Sequence, residues 1–189
     1  MHISNDYRHI HLIGDTHFDH KGIIEMCQRP FKNKGQMNRF LLRRWNEKIT
    51  SNDTVYFLGD LSYGHKARAT TTWLNQLNGN IIFINGNHDR YKDGKEFEIV
   101  NWAGIDFLLI HDPSPEKIPF KWDSWKIHAH KHCNDPVSFP FINGINKTIN
   151  VSVEMTEYSP LLLSDLLSLN IDKIKYMETI KNKPVYFLI

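Results

Sequence analysis

The chain of 189 residues is long enough to form one domain whose core needs no disulfide. Hydrophobic residues make up 41% of it, and the formal net charge of only +2 argues against strong electrostatic capture of nucleic acid. The cysteines, Cys27 and Cys133, lack metal-binding spacing and predict free thiols in a reducing compartment. No apolar run is long enough for a membrane span and no export leader is visible, so we expect a cytoplasmic protein without a membrane partner.

Strand-like and helix-like segments alternate along the chain, which is typical of an α/β fold. Apolar, β-branched runs predict strands over residues 9–14, 54–58, 81–84, 106–110, 125–129, 148–153 and 185–189. Apolar residues at helical spacing predict helices over residues 21–27, 36–49, 66–77, 160–169 and 171–180. No linker, charge block or repeat divides these elements, and we therefore predict a single domain over residues 1–189.

Five consecutive predicted strands end in potential metal ligands. In chain order these residues are Asp15 with His17, Asp60, Asn87 with His88, His111, and His130 with His132. In open α/β sheets, ligands bind in the crevice outside the carboxyl ends of the strands, so these side chains can converge on one site. Each residue alone is better explained as a turn or structural residue, whereas the ordered series predicts a metal centre. The chain also contains 11 histidines, and imidazole is the commonest metal ligand.

The predicted donors are carboxylates, imidazoles and one amide, without a thiolate. The set is too large for one tetrahedral zinc ion and suits two adjacent ions that share a carboxylate. Imidazole with carboxylate accommodates Mn, Fe, Zn or Ni, and we expect Mn. A pair of ions about 3.5–4 Å apart can clamp the attacking and leaving oxygens of a displacement at phosphorus and ionise the water between them. Phosphate-ester hydrolysis is therefore the predicted chemistry.

The same motifs resemble the calcineurin-like metallophosphoesterases. The resemblance extends over residues 10–155 and is carried by Asp15-Thr16-His17, Gly59-Asp60, Gly86-Asn87-His88-Asp89, His111 and His130-Lys131-His132. Residues 29–31 (RPF), 59–61 (GDL) and 150–154 (NVSVE) resemble the small bacterial, archaeal and phage members that have no cap domain. The resemblance implies an α/β fold of four layers, in which two mixed β-sheets are flanked by helices.

The resemblance also implies a role for each site residue. The first ion would be held by Asp15, His17 and His132, and the shell of the second would be completed by Asn87, His111 and His130. Asp60 would bridge the two ions. His88 would bind no metal and would donate a proton to the leaving oxygen, and Asp89 would orient His88 by accepting from its other ring nitrogen.

One residue departs from the family pattern. Ala129 stands where the family usually has glycine before the first histidine of the last motif. Alanine lacks the freedom of glycine at positive φ, so either Ala129 has an ordinary backbone conformation or the loop is displaced. Four other residues near the motifs have two possible interpretations. Each could lie beside the site, or it could be a structural or surface residue: His20, His65, Arg90 and His128.

The sequence predicts an enzyme that hydrolyses a small phosphate ester, with diesters preferred over monoesters and nucleotides among the candidates. Two alternatives remain open. One is a nuclease, which the modest net charge disfavours, and the other is a non-catalytic binding or scaffold protein with the same fold. The complete set of ligands and the predicted acid disfavour the scaffold. The substrate, the native metals and the oligomeric state are undetermined by the sequence.

Overall fold

The computed structural model describes residues 7–186 of the chain. The helices are α1 (Gly22–Met26), α2 (Lys34–Lys48), α3 (Thr70–Leu74) and α4 (Leu163–Ser168). The strands are β1 (Ile10–Ile13), β2 (Thr54–Phe57), β3 (Asn80–Phe83), β4 (Phe97–Trp102), β5 (Ile105–Ile110), β6 (Trp125–His128), β7 (Ile142–Asn143), β8 (Thr148–Asn150), β9 (Leu161–Leu162), β10 (Ile174–Met177) and β11 (Val185–Tyr186).

These strands form two mixed sheets. The first sheet has the order β3-β2-β1-β9, with β1, β2 and β3 parallel and β9 antiparallel to β1. The second sheet has the order β11-β10-β7-β8-β6-β5-β4, and its β5, β6 and β8 are parallel neighbours. The predicted fold of two mixed sheets flanked by helices is confirmed.

Two hydrophobic clusters hold these layers together. One cluster joins the first three helices to the first sheet and includes Met37, Leu41 and Trp45 of α2. These residues recur every four positions, so they form one face of the helix. The other cluster lies between the sheets and also contains the buried residues of α4. The helix α2 begins at Asn33, whose side chain accepts a hydrogen bond from the backbone N–H of Gln36, as N-cap residues do.

The predicted helix over residues 171–180 is wrong. Residues 171–173 form one 3₁₀ turn, and residues 174–177 are strand β10, which pairs with β7 and β11. The apolar residues Ile171, Ile174 and Met177 recur at a helical spacing of three, which explains the error. Asn170 before them has a φ of 52°, and this left-handed residue redirects the chain to the sheet edge. Pairing with β7 therefore outweighs the local helical pattern.

Other boundaries also differ from the prediction. The predicted helix over 66–77 is limited to α3, because Lys66 has a φ of 64° and belongs to the preceding loop. The predicted strand over 148–153 pairs with the second sheet only as far as Asn150, and Ser152 then forms a parallel bridge with Gly14 of the first sheet. The strands β4, β7 and β9 were not predicted. The final predicted strand is represented by β11, and residues 187–189 lie outside the described residues.

Among residues 7–186, no helix is long and apolar enough to cross a membrane.

Candidate metal centre

The predicted ligands come together where the carboxyl ends of the two sheets meet. The first sheet provides the loops after β1, β2 and β3, and the second provides the loops after β5 and β6. Parallel neighbours end at the same edge of a sheet, which brings these loops side by side. Backbone hydrogen bonds then join the loops, since the N–H of Asp15 donates to Gly59 O at 2.9 Å and that of His17 to Asp60 O at 3.0 Å.

Five of the predicted metal ligands have left-handed backbone conformations, with φ between 49° and 67°: Asp15, His17, Asp60, His130 and His132. Such residues cost of order 1–3 kcal/mol each and persist where the surrounding structure fixes them. Asp and His tolerate this region better than most side chains. The loops after β1, β2 and β6 are therefore held in conformations that turn the chain back at the end of the strand.

Two groups of ligand atoms result. In the first group, ligand atoms of Asp15, His17 and His132 lie within 4.8 Å of one another. In the second group, the same limit holds for Asp60, His111 and His130. Asn87 joins the second group, because its Oδ1 lies 3.0 Å from His111 Nε2.

The Asp60 carboxylate lies between the two groups. Its Oδ2 is 3.5 Å from His17 Nε2 of the first group and 3.5 Å from His111 Nε2 of the second. One oxygen thus faces an imidazole on each side, which is the position that a shared ligand requires.

The donor atoms fit divalent metal ions. Asp15 Oδ1 and both ring nitrogens of His17 are buried without any hydrogen-bond partner in the described part of the chain. A buried polar atom left unpaired costs about 1–3 kcal/mol, so such atoms call for a partner. Carboxylate oxygens and imidazole nitrogens suit Mn, Fe, Zn and Ni alike.

Neighbouring residues fix the orientation of His111. Its Nδ1 lies 2.7 Å from the carbonyl oxygen of Leu58, to which it donates, so Nε2 faces Asp60 and Asn87. The approach depends on Gly59, which has a φ of 90° and whose added Cβ would lie 2.5 Å from His111 Nδ1. Burial opposes protonation of His111, but Asp60 and Asp15 outweigh it and raise its pKa to about 9. Because an imidazole binds a metal ion only in its neutral form, metal binding should release this proton.

Residues 29 and 154 form a buried network behind the first group. The Arg29 guanidinium donates to the backbone oxygens of Asp15 at 2.7 Å and Thr16 at 2.8 Å, and to Glu154 Oε1 at 2.9 Å. Both Glu154 oxygens lie 3.2 Å from His132 Nδ1. In the sequence, these positions contributed only to the family resemblance, and no role was predicted for them.

A second carboxylate supports the other group. Asp112 directly follows His111, and its Oδ2 lies 3.6 Å from His130 Nε2. Its other oxygen lies 3.0 Å from Lys131 Nζ. Lys131 is therefore part of an ion pair beside the metal ligands, and this role was not found in the sequence.

The predicted contact between Asp89 and His88 is absent from the described structure. The Asp89 carboxylate instead accepts backbone hydrogen bonds from Asp60 at 2.6 Å, Gly86 at 2.9 Å and Leu61 at 3.2 Å. It therefore fixes the loop after β2 against the loop after β3. The physical reason is that three amides converge on this buried carboxylate, so its oxygens are occupied by the backbone.

His88 lies in neither group of ligand atoms, although it is close to both. Its Nε2 is 4.0 Å from Asp60 Oδ2, and 31% of its side chain is exposed. Its backbone N–H donates to Asp60 Oδ1 at 2.9 Å. The ring packs on Tyr63 with a centroid distance of 3.9 Å, so Tyr63 provides the support that was predicted for Asp89.

Burial and contacts define the roles of His128, Arg90 and His20, which the sequence left open, and the backbone conformation of Ala129. His128 is fully buried, and burial lowers its pKa to about 3, so it is a neutral structural residue. Arg90 donates to the backbone oxygens of Asn87 and Asp89 and ties this loop together. His20 packs beside His17, with a centroid distance of 5.3 Å. Ala129 is buried and is not among the residues with positive φ, so its backbone conformation is ordinary.

The exposed His65 lies on the wall of a pocket beside His88.

Fold and site together define an α/β protein with a cluster of histidines and carboxylates at the junction of two mixed sheets. A family model described as calcineurin-like phosphoesterase matches residues 8–186. The chain therefore belongs to the calcineurin-like phosphoesterase family, and the resemblance predicted from its motifs is confirmed.

Two comparisons extend this assignment. An uncharacterised protein of Methanocaldococcus jannaschii is 44% identical over 176 residues, which cover 93% of this chain and 98% of that protein. The crystal structure of a protein of unknown function from Aquifex aeolicus has a TM-score of 0.60 and 22% identity, and the match covers 85% of this chain and 98% of that one. At this identity, the second comparison supports the fold alone.

Proposed function

We propose that the protein is a metal-dependent phosphoesterase that binds two divalent ions and hydrolyses small phosphodiesters or phosphomonoesters. The observation that carries the proposal is the place of Asp60, whose Oδ2 lies 3.5 Å from an imidazole of each ligand group. A carboxylate in that position suits two ions held side by side. Asp15, His17 and His132 would hold one ion, and Asn87, His111 and His130 would complete the shell of the other.

Divalent ions at these positions would lower the pKa of water to provide a nucleophile near neutral pH and would stabilise negative charge on the phosphoryl oxygens. Other side chains of the protein position the metal ligands. Arg29, Glu154 and Asp112 keep the ligand loops and imidazoles in place through the contacts described above. These residues act through the ligands and need not touch the substrate.

His88 is the proposed general acid. Its ring is near Asp60 but is partly exposed and belongs to neither ligand group, so it can approach a leaving oxygen that faces the ions. The adjacent Tyr63 ring, tilted by 35° against the imidazole, and the backbone hydrogen bond to Asp60 limit its movement. Donation of a proton to the leaving oxygen would neutralise the alkoxide that forms as the ester bond breaks.

The test is hydrolysis of phosphodiester and phosphomonoester series of rising leaving-group pKa, with Mn, Fe, Zn or Ni supplied. Wild type should hydrolyse at least one series, and a chelator should abolish the activity. His88→Asn should affect nitrophenyl esters only modestly and should slow alkyl or nucleoside esters by about 10²–10⁴-fold, the usual range of general acid catalysis. A nitrophenolate leaves almost unaided, whereas an alkoxide needs the proton.

The control variant is His9→Asn, which changes a histidine at the opposite end of β1 and should preserve all rates. Failure of every ester with every metal would overturn the proposed activity. Equal losses across the series at matched metal loading, with chemistry rate-limiting, would remove His88 from the role of acid.

A further inference from the structure

A pocket of about 1150 Å³ opens beside the candidate metal centre, and His88 forms part of its wall. Other walls come from the start of α1, the loop after β2 and the loop after β3. If His88 protonates the leaving oxygen, the leaving group must extend from the ions past His88. The pocket is therefore where the leaving group of the substrate would lie.

Three lysines and one arginine of the pocket wall have no acidic partner among the described residues. Lys21, Lys34 and Lys92 line it, and none of them forms a hydrogen bond or ion pair through its side chain with another described residue. Arg90 also lines it. Within the described part of the chain, its guanidinium is bound only to backbone carbonyl oxygens. These side chains come from three separate parts of the chain, so the fold has gathered positive charge in one place.

Among the described residues, one carboxylate lines the pocket, and it is already neutralised. Asp19 accepts hydrogen bonds from Arg68, Asn38 and Trp73. Its Oδ2 lies 3.1 Å from Arg68 Nε, so the two charges form an ion pair. Asp19 therefore balances Arg68, and the charges of Lys21, Lys34 and Lys92 are left for a ligand.

We propose that this pocket binds a further phosphate group carried by the leaving group of the substrate. The substrate class is then a small phosphate ester with at least two phosphate groups, one cleaved at the ions and one held by the lysines. This inference rests on the proposed phosphoesterase function. It adds that the recognised leaving group is itself an anion.

A small ligand is favoured over a nucleic-acid strand. The net charge of the whole chain is only +2, so the basic residues of the pocket are a local concentration and not part of a generally basic surface. The pocket volume of about 1150 Å³ suits a molecule of nucleotide or dinucleotide size. A strand would need a longer track of basic residues along its backbone.

The experiment compares substrates that differ by one phosphate on the leaving group. For monoester cleavage the pair is adenosine 3′,5′-bisphosphate and adenosine 5′-monophosphate. For diester cleavage the pair is a dinucleoside monophosphate with and without an additional terminal phosphate on the nucleoside that leaves. In wild type, kcat/KM should be at least about tenfold higher for the member with the extra phosphate, the size of one charge-assisted contact. In the double variant Lys21→Ala/Lys92→Ala, the ratio of the kcat/KM values for the two substrates should fall towards one.

The matched control is Lys173→Ala/Lys175→Ala, which removes two exposed lysines at and just before β10 that do not line the pocket, and its ratio should stay at the wild-type value. A wild-type ratio near one, or a ratio that survives loss of Lys21 and Lys92, would overturn the inference.

Calorimetric titration of the metal-loaded protein with the same two adenosine nucleotides separates the two proposals. If no ester is hydrolysed but the bisphosphate binds more tightly than the monophosphate through Lys21 and Lys92, the proposed activity fails and the anion pocket stands. If esters are hydrolysed but both nucleotides bind equally, the activity stands and the pocket inference fails. Affinity for single-stranded oligonucleotides that keeps rising beyond two nucleotides would also overturn the small-substrate class.

Discussion

Glu154 shows how much of the candidate site depends on a single buried side chain. Its carboxylate joins the Arg29 guanidinium to the imidazole of His132, and Arg29 in turn holds the backbone of Asp15. Two ligands of the first group are thus fixed through one residue that need not bind metal. Burial opposes ionisation of Glu154, but Arg29 and then His132 outweigh it and lower its pKa to about 2.

Glu154→Gln should weaken metal binding by about 10–100-fold, the usual effect of losing a carboxylate that orients a histidine ligand. It should also destabilise the metal-free protein by about 3–5 kcal/mol, because Arg29 would be left buried without its partner. Metal titration and urea unfolding provide the two measurements. Glu47→Gln, in an exposed pair with Arg43, is the control and should change neither quantity.

The depressed pKa of Glu154 also sets a pH dependence. The folded pKa of about 2 is below the ordinary value of 4.5 for a glutamate, so the stabilisation is present above pH 4.5 and is lost as the pH falls towards 2. The unfolding free energy of the metal-free wild type should therefore fall more steeply between about pH 5 and pH 2 than that of Glu154→Gln. Parallel curves for the two proteins would show that Glu154 is not held ionised by this network.

At the scale of elements, the end of β1 is where the first sheet meets the loop after β6. A Cβ added to Gly14 would lie 2.5 Å from the Cβ of Ala129 and 3.3 Å from the Cβ of Leu58. Gly14 directly precedes Asp15, and Ala129 directly precedes His130. The contact between these small residues therefore sets the distance between the two ligand loops.

Gly14→Ala should destabilise the protein by about 1–3 kcal/mol through overpacking and should lower metal affinity. Ala129→Gly should leave activity nearly unchanged, since it removes a methyl group and the backbone at 129 is ordinary. The double variant should recover part of the loss in Gly14→Ala, because the 2.5 Å contact no longer exists. Urea unfolding and metal titration of wild type, the two single variants and the double variant together form a double-mutant cycle.

Strict additivity in that cycle would show that the two residues are not in contact. A gain in activity of more than about tenfold in Ala129→Gly, equivalent to about 1.4 kcal/mol of transition-state stabilisation, would show instead that the methyl group distorts the site.

At the scale of the whole molecule, the candidate metal centre connects the two sheets. The first sheet contributes the ligands after β1, β2 and β3, and the second contributes those after β5 and β6. Ions at this junction would bind the folded chain far better than the unfolded one, in which the ligand loops are separated. Metal binding should therefore stabilise the whole fold and not only the loops.

We expect each chain to bind two metal ions. When the free metal concentration is one hundred times the dissociation constant of a site, binding at that site should raise the unfolding free energy by about 2.7 kcal/mol. Asp60→Ala should weaken both sites, because its carboxylate faces both groups, whereas His17→Ala should empty mainly one. The measurements are metal content by elemental analysis and calorimetric unfolding with and without chelator. Asp123→Ala, at an exposed carboxylate, should behave as wild type, and two ions in Asp60→Ala would exclude a shared ligand.

The sequence by itself determined the predicted metal ligands of the candidate site, but not the residues that support them. Each predicted ligand lies within three residues of the end of a predicted apolar strand, and both the strand and its polar end can be read from neighbouring residues. The α/β class also followed from local patterns, because strands and helices differ in the period of their apolar residues.

Only the tertiary structure decided how those residues are held. The strand β10 replaced a predicted helix, because pairing with β7 involves a segment about thirty residues away in the chain. Asp89 binds backbone amides of two loops and not His88, and Glu154 reaches His132 across the core. The left-handed conformations of the ligands likewise depend on loops that brace one another. These features arise from contacts between distant segments, and a local pattern contains no information about which segments will meet.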